Sequence, residues 1–177
     1  MRIQFVALVA VLLLASGCVR AQEVPGLPAT VLSIGDGDSI RVRLHGQMRK
    51  VRLACIDAPE LDQVPQGAAS RAYLQSRLRQ GSQVRLLPYD TDRHNRLVAE
   101  VIGDTNLNLA LVEDGQAFVF PKHVHQCDAA EFRAAERRAS RASLGIWRFP
   151  GGITRPWEFR RQQRSDPGAE SRRDDRL

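Results

Sequence analysis

Four carboxylates fall into two short stretches of a chain otherwise rich in arginine. Gly35-Asp36-Gly37-Asp38-Ser39 sets two of them at a glycine-flanked turn, and Asp57-Ala58-Pro59-Glu60 sets two more just past an apolar run. Concentrated negative charge is unfavourable unless a cation sits among it. Carboxylate and backbone carbonyl oxygens suit a hard divalent ion, calcium or magnesium. Taken singly, each stretch reads as a turn, with Asp36 and Asp38 as turn formers and Asp57 as an Asx-turn before Pro59. Taken together, and beside Arg52, they read as a site. Arg52 stands between Val51 and Leu53, where a charge needs a partner or a cleft. Asp92-Arg93-His94-Asn95-Arg96 offers a second cation, Arg96, at the start of an apolar run. The planar guanidinium suits bidentate contact with phosphate, and two arginines opposite a metal would clamp a phosphodiester. Most of the other arginines read as solvated surface.

The elements that must position these groups follow from periodicity. Ala29–Ile34 is strand-like, Ser39–Leu44 alternates polar and apolar residues, and Arg49–Ile56 returns after a turn at His45-Gly46-Gln47. Gln66–Gln80 turns helical in period, closed by Gly81. Two more strands, Gln83–Pro88 and Arg96–Ile102, flank the polar loop Tyr89–Asn95. Asn106–Asp114 reads as a short helix ended by Gly115, and Ala117–Phe120 as a short strand or an apolar lead-in. Asp128, with Glu131 three residues on, caps a helix that buries Phe132, Ala135 and Ala139. Five strands with about three helices make an α+β domain, and a five-stranded OB-type β-barrel is the natural closure. Phe118, Phe120, Trp147 and Trp157 read as packing residues.

The chain has 177 residues, 43% of them apolar, which suffices for about one compact domain. Of 26 lysines and arginines only Lys50 and Lys122 are lysines; the net charge of +6 favours an anionic partner. After the N-terminus no apolar run is long enough to span a bilayer, which excludes a polytopic membrane protein. Arg2 followed by apolar Phe5–Ala15 and small residues reads as a signal peptide over residues 1–21, hence export. Two processing routes fit: Leu14-Ala15-Ser16-Gly17-Cys18 resembles a lipobox, with Cys18 lipidated and the chain anchored to the envelope, and Val19-Arg20-Ala21 suits cleavage before Gln22. Residues 22–27 are then a linker, 28–159 the domain and 160–177 a basic, disordered tail, since apolar residues nearly vanish beyond Arg160. In an oxidising compartment Cys55 and Cys127 would close a loop of about 70 residues, or else remain two separate small buried side chains. His123, His125 and Cys127 form a surface loop in preference to a zinc site, because no second cysteine pair accompanies them.

The ordered set Ile34–Ile40, Val51-Arg52-Leu53, Ile56–Glu60, Asp92–Arg96, Asn106–Gly115, Leu144–Trp147 and Pro156-Trp157-Glu158 resembles the staphylococcal (micrococcal) nuclease family, from about Pro28 to Arg160. The resemblance implies a calcium-dependent phosphodiesterase of DNA and RNA that leaves 3′-phosphate ends, working as an exported monomer that is periplasmic, envelope-anchored or secreted. It implies that Asp38, Asp57 and the carbonyl of Ala58 hold Ca2+, that Glu60 orients or deprotonates water, and that Arg52 and Arg96 hold the phosphate. His94 stands where the family often has tyrosine, as a substrate contact. Ala58 and Ser39 replace threonines, and Leu61–Pro65 is short. The alternative is a non-catalytic OB-fold module that binds nucleic acid at the cell envelope.

Overall fold

The computed structural model describes residues 26–165. Seven strands and four helices run in chain order: β1 (Leu27–Ile34), β2 (Ser39–Leu44), β3 (Gln47–Leu53), β4 (Ile56–Asp57), α1 (Gln66–Arg77), β5 (Gln83–Thr91), β6 (Leu97–Ile102), α2 (Leu107–Glu113), β7 (Phe118–Val119), α3 (Ala129–Arg141) and α4 (Pro156–Ser165). Five strands close a barrel in the order β1-β2-β3-β6-β5, and β4 pairs with β7 in a separate two-stranded sheet. Every barrel pairing is antiparallel except β3 with β6. This is the α+β, OB-type barrel expected from the sequence.

Period-two patterning explains the barrel. Ile40, Val42 and Leu44 of β2 are buried while Arg41 and Arg43 between them are exposed; Val51 and Leu53 of β3 meet them inside. Val31, Leu86, Ala99 and Val101 complete an apolar interior. The helices are fixed by the caps the sequence announces. Asn106 accepts hydrogen bonds from the Asn108 and Leu109 N–H groups, and Asp128 from those of Ala130 and Glu131.

One buried polar residue joins the helical layer to the barrel. The Asn108 amide on α2 donates to the Ala54 and Ala99 carbonyls at 2.9 and 3.2 Å and accepts from the Val101 N–H at 3.0 Å. Leaving such buried groups unpaired costs roughly 1–3 kcal/mol each, so these bonds hold α2 in register against β3 and β6.

The two ends of the domain each correct an expectation. A fourth helix, α4, stands where the tail was expected to begin, and Arg160–Ser165 lie within it. The expected tail boundary at Arg160 therefore falls inside this helix. The first strand also begins at Leu27, inside the expected linker. The expected signal segment with Cys18 and the remaining tail, 166–177, lie outside the described residues.

Candidate active site

The acidic cluster sits where the β1–β2 turn meets β4, outside the barrel wall at β3. Asp36 shapes the turn by accepting the Asp38 N–H at 3.1 Å. Gly37 has no room for a side chain, since a Cβ there would lie 2.0 Å from Ser70 Oγ of α1 and 2.7 Å from the Ala58 methyl. The turn is thereby pressed between α1 and the strand that carries Asp57.

Asp38 is buried at 4% exposure and Asp57 is fully buried. Arg52, projecting from the outer face of β3, bridges them: its Nη1 donates to Asp38 Oδ1 at 2.6 Å and its Nη2 to Asp57 Oδ1 at 2.7 Å. The second Asp38 oxygen accepts the Ala58 N–H at 2.8 Å. Burial pushes the Asp38 carboxyl up to about 7, against the pull of the Arg52 guanidinium, with the Asp36 and Asp57 carboxylates adding to the rise. Burial disfavours the Arg52 cation as well, but Asp38 and Asp57 outweigh it and hold it protonated above its ordinary range.

Glu60 is half-exposed and held from behind. Its N–H donates to Gln63 Oε1 at 3.0 Å, and the Gln63 amide donates to the Thr154 carbonyl at 2.8 Å, just ahead of α4. The first turn of α1 lies against the same backbone, since a Cβ at Gly67 would come 2.0 Å from the Glu60 carbonyl oxygen.

The residue that sequence reasoning missed is Arg160. From α4 its Nη2 donates to Asp57 Oδ2 at 2.6 Å and its Nη1 to Asp57 Oδ1 at 3.2 Å, and Nη1 also meets Glu60 Oε1. A second arginine thus spans Asp57 and Glu60 as Arg52 spans Asp38 and Asp57. The Pro156-Trp157-Glu158 motif lies only two residues upstream and was the available signal.

Arg96 stays apart from the carboxylates. Its guanidinium holds Asp92 at 2.8 and 2.7 Å, and Asp92 also accepts the Arg96 and His94 N–H groups. Burial raises the Asp92 carboxyl, but these bonds to Arg96 and His94 outweigh it and hold it below the usual carboxylate range. The register nevertheless places Arg96 beside the Arg52 strand, because Leu97 lies opposite Val51 and Val98 opposite Arg52. His94 is exposed, and its ring accepts only from Arg93 Nε at 3.2 Å. The structure gives it no hydrogen bond to Asp38, Asp57 or Glu60.

Cys55 and Cys127 are joined in a disulfide, with α-carbons 6.3 Å apart. Cys127 is therefore committed, in keeping with the surface-loop reading of His123 and His125. Phe118 is buried edge-on against Trp147 at 5.2 Å, with the Arg155 guanidinium 4.0 Å over its ring; Phe120 is half-buried against Trp157 at 5.4 Å.

Among the described residues no three His, Cys, Asp or Glu side chains converge as a ready cation cage. The inward oxygens of Asp38, Asp57 and Glu60 are shared instead by Arg52 and Arg160. The donor set still fits a hard cation in kind: two buried carboxylates beside a buried backbone at Ala58, all oxygen, with no thiolate or imidazole among them.

The chain matches the model of the family described as staphylococcal nuclease homologue over residues 50–149, more than half its length. It is 31% identical over 145 residues to a micrococcal nuclease of Shigella flexneri, covering 76% of this chain and 81% of that protein. It is 30% identical over 165 residues to an uncharacterized endonuclease of Haemophilus influenzae, covering 92% and 87%. A closed five-stranded barrel, an Arg52-bridged pair of buried aspartates at its wall and a match across most of the domain together make this chain a member of the staphylococcal nuclease family.

Proposed function

We propose that the protein is a calcium-dependent nuclease that hydrolyses phosphodiester bonds in DNA and RNA with little sequence preference and leaves 3′-phosphate ends. The observation that carries the reading is the convergence of Asp38, Asp57 and Glu60 on paired arginines at one end of β3 and β4. A structural module has no need of so much buried charge, because ion pairs of this kind contribute little net stability.

Asp38 and Asp57, with the Ala58 carbonyl, would hold the calcium ion. When bound, the ion supplies Lewis-acid polarisation of the phosphoryl oxygen. Arg52, on β3, and Arg96, just ahead of the neighbouring β6, hold the two non-bridging oxygens and neutralise the charge that builds on them. Such preorganised donors are worth roughly 2.7–4 kcal/mol each in the transition state. Glu60, more exposed than Asp38 and Asp57, orients the attacking water and accepts its proton. Cleavage of the bond from phosphorus to the 5′ oxygen then leaves phosphate on the 3′ end. Arg160 fixes Glu60 and Asp57 relative to each other.

The N-terminal charged, apolar and small-residue segments support export, and a Cys55–Cys127 disulfide suits an oxidising compartment. We assign the protein as a monomer to the periplasm, envelope or exterior, with Cys18 the acceptor if a lipid anchors it.

Incubation of plasmid DNA and single-stranded RNA with Ca2+, Mg2+ or chelator, alongside Glu60→Gln, tests the reading. The wild type cleaves both with Ca2+ and stops with chelator, while Glu60→Gln binds without cleaving. Binding without cleavage by the wild type under every metal would leave a nucleic-acid-binding barrel in place of an enzyme.

A further inference from the structure

The first three strands carry an unusual charge distribution. Together β1, β2 and β3 hold Arg41, Arg43, Arg49, Lys50 and Arg52 and not one aspartate or glutamate. The pairing of β2 with β3 decides where these charges point. Ser39 lies opposite Arg52, Arg41 opposite Lys50 and Arg43 opposite Met48, whereas the intervening Ile40–Val51 pair faces the core. Arg41, Arg43, Lys50 and Arg52 therefore share the outer face of one hairpin, in rows that begin at the site and run toward the turn at His45 and Gly46.

Two features of that face call for an anion. Arg41 and Lys50 stand directly across from each other, at the roughly 4.5–5.5 Å separation of cross-strand neighbours, where like charges destabilise a sheet. No carboxylate relieves them: among the described residues Arg41, Arg43 and Lys50 take part in no ion pair, and Arg41 reaches only Ser33 Oγ at 3.4 Å. The residues alongside on β1 and β2 are the hydroxyls of Thr30, Ser33 and Ser39, which are donors to phosphate oxygens. A second arginine-rich element differs. Helix α3 intersperses its arginines with Glu131 and Glu136, and Arg138 pairs with Glu113.

We propose that the outer face of the β2–β3 hairpin is a phosphate track that receives a strand of nucleic acid on one side of the scissile bond. Resting on the nuclease reading above, it adds the direction in which the substrate leaves the site. Successive outward rows along a strand are about 6.8 Å apart, on the order of one nucleotide of an extended chain. The phosphate held at Arg52 is followed by one at Lys50 and Arg41 and then by one at Arg43. The track grips backbone and carries no sequence information, as suits a nuclease with little base preference.

Salt titration tests the track, because each phosphate contact adds a slope of about 0.7 to the dependence of log affinity on log salt for a single strand. Binding of a fluorescent single-stranded oligonucleotide is measured across a KCl series with the whole chain carrying Glu60→Gln, so that the strand survives. Arg41→Gln/Arg43→Gln/Lys50→Gln is added in one protein and Arg133→Gln/Arg137→Gln/Arg141→Gln in another. The hairpin variant is expected to lose about 2 from the slope and to converge with its parent at high salt. The helix variant keeps the parental slope. With Glu60 intact, the hairpin variant cleaves a dinucleotide at the wild-type rate but shows a raised KM on a long strand. An unchanged slope in the hairpin variant overturns the track, and a loss confined to the helix variant moves the strand to α3. If the parent protein binds no oligonucleotide at any salt, the nuclease reading falls and the track with it.

Discussion

Asp38 is held at a cost to the fold. Its carboxyl is buried, its folded pKa is pushed up to about 7 by that burial, and Asp36 and Asp57 crowd it. A carboxyl whose pKa rises on folding stabilises the native state below its unfolded value near 4 and loses that contribution as pH climbs through 7. Above pH 7 the fold carries an ionised aspartate that would prefer water, a cost that the proposed cation site accounts for. Asp38→Asn keeps the shape and the bond from the Ala58 N–H but removes the charge and, with it, the oxygen that accepts from Arg52 Nη1. We expect the stability of this variant relative to the wild type to rise from pH 4 to pH 8, as the wild-type carboxyl ionises in its buried setting, and the variant to lose cleavage at every pH. Urea unfolding of both proteins at pH 4, 6 and 8 checks it. A difference between the two proteins that stays constant from pH 4 to pH 8 would mean that the Arg52 pairing offsets the burial in full.

At the scale of elements, the site depends on a helix that local pattern does not announce. Helix α4 reads Pro156-Trp157-Glu158-Phe159 and then six polar residues, and nothing in that second half repeats an apolar face. Trp157 packs the first turn against Phe118 and Phe120, and what ties the second half to the site is Arg160 reaching Asp57 and Glu60, about a hundred positions back in the chain. A contact of that sequence separation leaves no trace in local periodicity. The barrel strands were legible for the opposite reason: Ile40, Val42, Val51 and Leu53 face inward at period two, and a slip of one residue would bury Arg41. Among the site residues, Asp38, Asp57, Glu60 and Arg52 were legible from type and spacing, and the structure brings them together. His94, read from a position where the family often has tyrosine, lies exposed in a turn organised by Asp92. Arg160→Ala should lower kcat by about 10- to 100-fold, and Arg160→Lys should recover little, since a single ammonium cannot span two carboxylates as a planar fork does. Partial recovery of the alanine variant by added guanidinium would separate this positioning role from loss of the helix. Unaltered kcat in Arg160→Ala would make the contact merely structural.

For the molecule as a whole, the disulfide ties the two layers together next to the chemistry. Cys55 sits in the bend that carries the chain out of β3 into β4, with a left-handed φ of +68°, two residues before Asp57. Cys127 immediately precedes the Asp128 cap of α3. The bridge therefore pins the helical layer to the one non-barrel strand that presents a site carboxylate, and it closes a loop with a sequence separation of 72. On the chain-entropy account a loop of that length is worth about 4 kcal/mol, most of it from restricting the unfolded chain. The native contacts of Asp57 with Arg52 and Arg160 do not pass through either sulfur. Cys55→Ala/Cys127→Ala should accordingly lower the Tm by about 10 °C while leaving kcat on DNA close to wild type well below the new midpoint. Reductant should bring the wild type down to the same Tm and leave the double variant unmoved. A variant that keeps its Tm but loses kcat would reverse the assignment, making the bridge a local support for Asp57 and not a restraint on the unfolded chain.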